Sequence, residues 1–144
     1  MIVIRRMEEG DAAQAAMLEK ACFTEPWTKD AFLETLRLPY ACYYAAEEGT
    51  EIVGICGLRN ISGEGEITNV AVKEKYRRRG IAGKLLARLL EEGERNGTKA
   101  FTLEVREGNG PAIELYKKLG FMAEGIRKDF YSAPRENALI MWKR

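Results

Sequence analysis

The chain has 144 residues, of which 46% are hydrophobic and 31% are charged, and its formal net charge is +1. This composition is typical of a globular protein, and it argues against a general nucleic-acid-binding protein or a membrane partner, since there is neither a basic excess nor an apolar run of roughly 20 residues. The length and the lack of an apolar signal segment predict one domain over residues 1–144 in the cytoplasm.

The first half of the chain predicts strands that form a meander, with two helices between the first strand and the second. Asp11 and Thr28 are predicted to cap helices that run to about Ala21 and to Leu36. Residues 63–65 predict a turn between the third and fourth strands. The predicted strands are Ile2–Arg5, 40–46, 51–60 and 66–72.

In the second half of the chain, helices alternate with strands. Apolar residues at helical spacing predict a helix from Ile81 that stops near Gly97. Asn109 is predicted to cap another helix, with Pro111 in its first turn and Gly120 at its end. Strands are predicted at 101–105, from Phe121 onward, and at 138–142. A meander followed by this alternation predicts a mixed α/β sheet with helices on both faces.

The residue types restrict the available chemistry. The chain contains no histidine, which excludes a Ser-His or Cys-His nucleophilic pair. Cys22, Cys42 and Cys56 lie in apolar contexts without metal-ligand spacing, so we expect buried free thiols and no metal. In an enzyme, acid–base chemistry would depend on carboxylates, tyrosine, lysine, cysteine or water.

A basic turn that contains glycine separates the strand at 66–72 from the helix at Ile81. Residues 73–88 carry seven basic side chains and one acidic side chain. Because the first N–H groups of a helix lack intrahelical partners and its N-terminus is partially positive, this arrangement predicts a phosphate site. Gly80 and Gly83 allow an anion to approach the backbone closely. A solvated turn is the alternative for an isolated motif of this kind.

The order and spacing of these motifs resemble the GNAT acetyltransferase superfamily over nearly the whole chain. The segment 77–82 fits the pattern Arg/Gln-x-x-Gly-x-Gly/Ala, with Val-Ala-Val upstream and the segments 103–106, 109–116 and 119–121 downstream. The resemblance implies the GNAT fold, an α/β (α+β) architecture whose mostly antiparallel sheet of about six to seven strands splays at its centre between about four helices. It also implies acetyl-coenzyme A as the donor. The coenzyme-binding residues that it implies are Val70, Ala71, Val72, Arg77, Arg78, Arg79, Gly80, Ile81, Ala82, Gly83, Lys84, Asn109 and Tyr116.

Three further segments are similar to the branch of GNAT enzymes that acetylate the N-terminal alanine of small-subunit ribosomal protein eighteen. They are 25–27, 103–106 and 127–138, although Phe130 and Asn137 stand where that branch usually has tyrosine and aspartate. This resemblance implies a protein N-terminus, that of a ribosomal protein, as the acceptor, and a monomer or weak dimer is expected. The implied substrate-binding residues are Glu25, Trp27, Tyr131 and Glu136.

Glu104 is the candidate base and Tyr116 the candidate acid. A carboxylate can take the proton of the attacking amine directly or through water. Glu104 lies on the strand face opposite Leu103 and Val105, and a structural pair with Arg106 is its alternative role. The Tyr116 hydroxyl is expected to protonate the departing thiolate, and a core tyrosine is the alternative. The N–H of Val72 is the candidate for polarising the thioester carbonyl.

Three other functions stay open at the level of the sequence. The acceptor can be a small-molecule amine or a different protein N-terminus, with the same chemistry. A non-catalytic coenzyme A-binding regulatory module would need neither Glu104 nor Tyr116. A phosphate- or RNA-binding domain would need a wider basic surface and exposed paired aromatic side chains.

Overall fold

The computed structural model describes all 144 residues and contains seven β-strands and four α-helices. The strands are β1 (Ile2–Arg6), β2 (Ala41–Glu48), β3 (Glu51–Ile61), β4 (Glu64–Val72), β5 (Ala100–Arg106), β6 (Met122–Ser132) and β7 (Arg135–Lys143). The helices are α1 (Ala12–Cys22), α2 (Lys29–Leu36), α3 (Ile81–Arg95) and α4 (Gly110–Lys118). Short 3-10 turns lie at Glu9–Asp11 and Glu74–Tyr76.

All seven strands form one sheet in the order β1-β2-β3-β4-β5-β7-β6. Neighbouring strands are antiparallel except for β4 and β5, which are parallel. This confirms the mixed, mostly antiparallel sheet and the helix count that the sequence implied.

The sheet opens at its centre, between β4 and β5. These two strands pair only over Glu64–Glu66 and Ala100–Thr102. Immediately beyond the last pair, β4 carries an extra residue, Thr68, because Gly57 of β3 faces Asn69 and the next residue of β3 faces Ile67. A bulge bends and twists the strand that contains it, which directs the end of β4 away from β5. The expected central splay is therefore present, and it leaves a gap between the two strands.

Helices cover both faces of the sheet, as predicted. α1 and α2 pack on one face and α3 and α4 on the other, and the two buried clusters share no residue. The apolar stripe of α3 is buried along its length. The main buried helical side chains are Ala12, Ala15, Leu18 and Phe32 on the first face and Leu85, Leu86, Leu89 and Tyr116 on the second.

Two of the three predicted helix caps are confirmed. Thr28 Oγ1 accepts a hydrogen bond from the N–H of Ala31 at 3.1 Å, and Asn109 Oδ1 accepts one from Ala112 at 3.3 Å. The prediction for Asp11 is wrong, because its carboxylate accepts the N–H of Glu8 at 2.8 Å and so closes the 3-10 turn that precedes α1.

The predicted turn at 63–65 is displaced by one residue. β4 begins at Glu64, and the positive φ angles of Ser62 (55°) and Gly63 (85°) place the reversal there. Two consecutive residues with positive φ suit the right-handed twist of a hairpin. None of the helices is long and apolar enough to cross a membrane.

Candidate functional site

The gap between β4 and β5 exposes backbone groups of β4. Ala71 faces Ile55 of β3, and the N–H of Lys73 donates to the carbonyl of Val53 at 2.8 Å. Because backbone direction alternates along an antiparallel strand, the N–H groups of Val70 and Val72 point the other way, into the gap. The sequence also predicts Ala71 as a coenzyme-binding residue, but its backbone pairs with β3 and its side chain is buried under α1.

The turn before α3 presents a row of free N–H groups. None of the N–H groups from Arg78 to Gly83 donates to an acceptor in the protein. Arg78 and Gly80 have positive φ angles of 64° and 75°, and such alternation curves successive N–H groups towards a common point that binds anions. The N-terminus of α3 adds its partial positive charge to this concavity. We call residues 78–83 the anion cradle.

The basic side chains of the turn divide into two groups. Arg77 folds back, so that its Nε donates to the carbonyl of Val72 at 3.1 Å, and Arg79 stacks on the ring of Tyr76 with 4.9 Å to the ring centroid. Arg78 and Lys84 are exposed and form no ion pair. The cations that can reach a ligand in the cradle are therefore Arg78 and Lys84, whereas Arg77 positions the end of β4.

Glu104 lies on β5 with its carboxylate half-buried. Arg127 Nε lies 3.2 Å from Glu104 Oε2, but the geometry is not that of a hydrogen bond, and this buried oxygen accepts none. The alternative pair with Arg106 does not form. Arg106 instead contacts Glu136 Oε1 at 3.2 Å and the carbonyl of Pro134 at 2.9 Å. One carboxylate oxygen thus stays without a hydrogen-bond donor from the protein.

Tyr116 lies on the inner face of α4, with 7% of its surface exposed. Its ring packs edge-on against Phe121, with the ring centroids 6.1 Å apart, and its hydroxyl has no hydrogen-bond partner in the protein. Burial raises its pKa, and the neighbouring Tyr131 hydroxyl raises it further. The phenol therefore keeps its proton at neutral pH and has a free O–H to donate.

Tyr131, near the end of β6, lies close enough to both candidate catalytic side chains to interact with each of them. Burial raises the pKa of its hydroxyl, and the nearby Glu104 carboxylate raises it further. The Arg106 guanidinium lies over its ring, 4.3 Å from the centroid. These interactions bring Glu104, Tyr116 and Tyr131 to one region of the molecule, although they are far apart in the sequence.

The loop after α1 and the end of β6 meet at one side of this region. The Ser132 hydroxyl donates to Glu25 Oε1, which ties the loop at 23–27 to β6. Trp27 is half-buried and packs on Phe32 and Tyr43 at centroid distances of 5.3 Å and 6.1 Å. Glu136 is engaged by Arg106 and by the N–H of Gly108 at 2.6 Å, so its carboxylate already has partners within the protein.

Both positions that depart from the expected branch pattern lie on the β6–β7 hairpin. Asn137 Oδ1 accepts the N–H of Asp129 at 2.9 Å, a contact that an aspartate oxygen can also make. Phe130 is half exposed and packs edge-on against Tyr131, with 5.0 Å between the ring centroids.

Sequence reasoning missed Glu19 and Asn69, two buried polar residues near the same loop. Glu19 Oε1 accepts the N–H of Trp27 at 3.1 Å, and Asn69 Nδ2 donates to Glu19 Oε2 at 3.3 Å. A signal for Glu19 exists in the sequence, because it shares the buried stripe of α1 with Ala15 and Leu18. A charged residue on an apolar stripe needs a polar partner.

Comparison with known proteins gives a consistent result. Residues 13–121 match the acetyltransferase (GNAT) family. A Bacillus subtilis protein that is provisionally named a ribosomal protein bS18-alanine N-acetyltransferase is 39% identical over 140 residues, which cover 96% of this chain and 93% of that protein. The Escherichia coli K12 ribosomal protein bS18-alanine N-acetyltransferase is 31% identical over 143 residues, with 98% and 96% covered. The crystal structure of the ribosomal-protein-S18-alanine N-acetyltransferase from Escherichia coli superposes with a TM-score of 0.90 at 29% identity, over 99% of this chain and 93% of that one.

Proposed function

The chain belongs to the acetyltransferase (GNAT) family, and on that premise we propose that it transfers the acetyl group of acetyl-coenzyme A to the N-terminal α-amine of a protein. The N-terminal alanine of small-subunit ribosomal protein eighteen is the proposed acceptor. The names and near-complete coverage of the Bacillus subtilis and Escherichia coli relatives support this choice. The observation that carries the proposal is the row of free N–H groups from Arg78 to Gly83 beside the opening between β4 and β5.

The donor half of the proposal follows from these two features together. The anion cradle suits a pyrophosphate, since it offers several N–H groups, a helix N-terminus and the exposed cations Arg78 and Lys84. The gap between β4 and β5 suits an extended arm that carries amide groups, because Val70 and Val72 expose strand-edge hydrogen-bonding groups along it. Acetyl-coenzyme A combines these chemical features in one molecule.

In the proposed reaction, the neutral amine attacks the acetyl carbon, a C–N bond forms and the C–S bond breaks. The N–H of Val72 donates to the carbonyl oxygen as negative charge develops on it. Glu104 takes the proton of the amine, directly or through one water. A model α-amine has a pKa of about 8, so a part of the acceptor is already neutral at pH 7.

Tyr116 supplies the proton that the departing thiolate needs. Its hydroxyl donates no hydrogen bond to an acceptor in the protein, and its raised pKa keeps it protonated. A model tyrosine has a pKa of about 10 and a model thiol about 8.5, so this transfer is uphill, and the raised pKa of Tyr116 makes it more so. The hydroxyl therefore also stabilises the developing thiolate by donating a hydrogen bond to it.

The acceptor enters from the side where the loop at 23–27 meets the end of β6. Trp27 and Tyr131 frame the peptide there. Glu25, which is exposed, offers a carboxylate to its ammonium group or to a basic side chain. Glu136 is already bonded to Arg106 and Gly108, so we assign it to shaping this wall.

The test is release of free thiol from acetyl-coenzyme A with a panel of short peptides and small amines. A peptide that starts with Ala-Arg is expected to turn over selectively, and the same peptide with a blocked N-terminus is expected to release nothing. Turnover of small amines alone contradicts the peptide assignment. Coenzyme binding without turnover on any acceptor contradicts catalysis and favours a binding module.

A further inference from the structure

A buried carboxylate joins the proposed acceptor loop to the central strand. Glu19 is 3% exposed, and no cation contributes to its environment. Its two oxygens have different partners, with Oε1 accepting the Trp27 N–H at 3.1 Å and Oε2 accepting Asn69 Nδ2 at 3.3 Å. Desolvation of a carboxylate is costly, so the hydrogen bonds that Glu19 makes must compensate for its burial.

The hydrogen bonds that reach Glu19 continue through Asn69 to Tyr43 and Thr68. Asn69 Oδ1 accepts from the Tyr43 hydroxyl at 3.0 Å, and the same hydroxyl contacts Thr68 Oγ1. Thr68 is the bulged residue of β4, at the point where that strand leaves β5. The chain therefore starts at the bulge that opens the sheet and ends at the backbone of Trp27.

From this juxtaposition we propose that Glu19 is a positioning residue, which holds the loop at 23–27 at a set distance from β4 and so places the acceptor against the acetyl group. The proposal rests on the proposed transfer to a peptide. A loop backbone N–H with a single buried anionic acceptor has one low-energy position, because losing that bond leaves both groups desolvated and unpaired. Burial raises the pKa of Glu19, as expected of a carboxyl group without a cation.

Removal of the carboxylate gives the first test. In Glu19→Ala the KM for the acceptor peptide is expected to rise about tenfold, as for the loss of one hydrogen bond to a charged group, while the KM for acetyl-coenzyme A stays within about twofold. Ile52→Val is the matched control, since Ile52 belongs to the same buried cluster, its truncation lowers stability, and its N–H donates to Gln14 of α1 rather than to the loop at 23–27. A purely structural role lowers the melting temperature in both variants and leaves the acceptor KM unchanged in both, which overturns the proposal.

An exchange of the two side chains gives the second test. Asn69→Asp places a carboxylate against that of Glu19, so the acceptor KM is expected to rise. Adding Glu19→Gln restores a matched pair, because the introduced amide N–H then donates to the new carboxylate on β4, while the oxygen of the same amide still accepts from Trp27. The double variant is expected to recover most of the acceptor affinity. A double variant as impaired as Asn69→Asp alone overturns the proposal.

Amide hydrogen exchange separates this proposal from the proposed function. The Trp27 amide is expected to exchange more slowly in the unmodified protein than in Glu19→Ala, and this readout needs no acceptor. Equal exchange rates overturn the positioning role. Slow exchange in a protein that acetylates no peptide supports the Glu19 anchor and rejects the peptide assignment.

Discussion

Arg77 Nε donates a hydrogen bond to the backbone carbonyl of Val72 at 3.1 Å. The side chain that begins the basic motif thus folds back, although the residue is exposed, and holds the last residue of β4. One of its terminal nitrogens also lies 3.5 Å from Cys22 Sγ, at the end of α1. Since the N–H of Val72 faces the gap, Arg77 fixes the orientation of the group that we assign to the thioester carbonyl.

Arg77 and Arg78 are expected to differ in their effect on the enzyme. Arg78→Gln removes an exposed cation beside the cradle, so acetyl-coenzyme A is expected to bind about fivefold more weakly. Its affinity should also depend less on salt, although Lys84 remains. Arg77→Gln lowers kcat more than it weakens binding, because it releases the end of β4. Calorimetric Kd values at two ionic strengths and kcat from thiol release measure both effects. If both variants lose affinity equally and keep kcat, Arg77 contacts the phosphate instead.

Gly83→Ala is expected to separate stability from coenzyme binding. Gly83 lies in the first turn of α3, where alanine is more favourable than glycine by up to about 1 kcal/mol. Its new Cβ would meet Leu115 Cδ1 at 3.6 Å, which is ordinary contact. The melting temperature should rise by about 3 °C. Acetyl-coenzyme A is expected to bind more weakly, since the methyl group is added to a residue whose N–H belongs to the cradle.

Gly80→Ala serves as the counterpart. The φ angle of 75° at Gly80 costs a residue with a side chain about 1 kcal/mol. Both stability and affinity should therefore fall in this variant. Thermal unfolding and calorimetry of the two variants side by side provide the check. If both variants bind acetyl-coenzyme A with unchanged affinity, the pyrophosphate binds elsewhere.

Substitution of the two candidate catalytic residues should lower turnover without releasing the coenzyme. Glu104→Gln and Tyr116→Phe are each expected to reduce kcat about 100-fold, with the Kd for acetyl-coenzyme A within about twofold. Initial rates of thiol release over a range of pH values measure the effect. A normal rate for Glu104→Gln throughout reassigns the base to another group or to bulk water, and an unchanged kcat for Tyr116→Phe removes the acid assignment.

The raised pKa of Tyr116 predicts a loss of stability at alkaline pH. A tyrosine in the unfolded chain ionises at about pH 10, whereas the buried phenol resists ionisation. The contribution of this phenol to the free energy of unfolding is complete below about pH 10. It is lost as the pH rises further, because the unfolded state then binds fewer protons than the folded state. Urea unfolding at about pH 8 and about pH 11 should show a steeper loss in the unmodified protein than in Tyr116→Phe. Equal losses would mean that the phenol ionises normally.

Asp11 should contribute to stability at neutral pH and lose that contribution in acid. It accepts from two Arg5 nitrogens at 2.8 Å and 2.9 Å and from the N–H of Glu8. The Arg5 hydrogen bonds lower the pKa of Asp11, so the contribution is present above the unfolded value of about 4 and is lost as pH falls below it. Asp11→Ala should cost about 2 kcal/mol at pH 7, with a smaller difference at about pH 3 in urea unfolding.

Much of the fold was predictable because it depends on residues close together in the chain. The caps at Thr28 and Asn109 involve an N–H three residues away, and the stripe of α3 depends only on helical spacing. The error at Asp11 arose because its carboxylate has competing donors. They are the N–H of Glu8, three residues earlier, and Arg5 on β1, which the helix pattern does not include.

The sequence by itself determined the elements, their order and the position of the cradle, since backbone conformation and N–H direction follow from local residue types. The tertiary structure alone decided which partner each charged side chain meets. Glu104 faces Arg127 rather than Arg106, Arg77 turns to Val72, and Glu19 meets Trp27. The partner of a long side chain depends on which strands and loops lie beside it after the sheet has formed, and neither spacing nor periodicity carries that information.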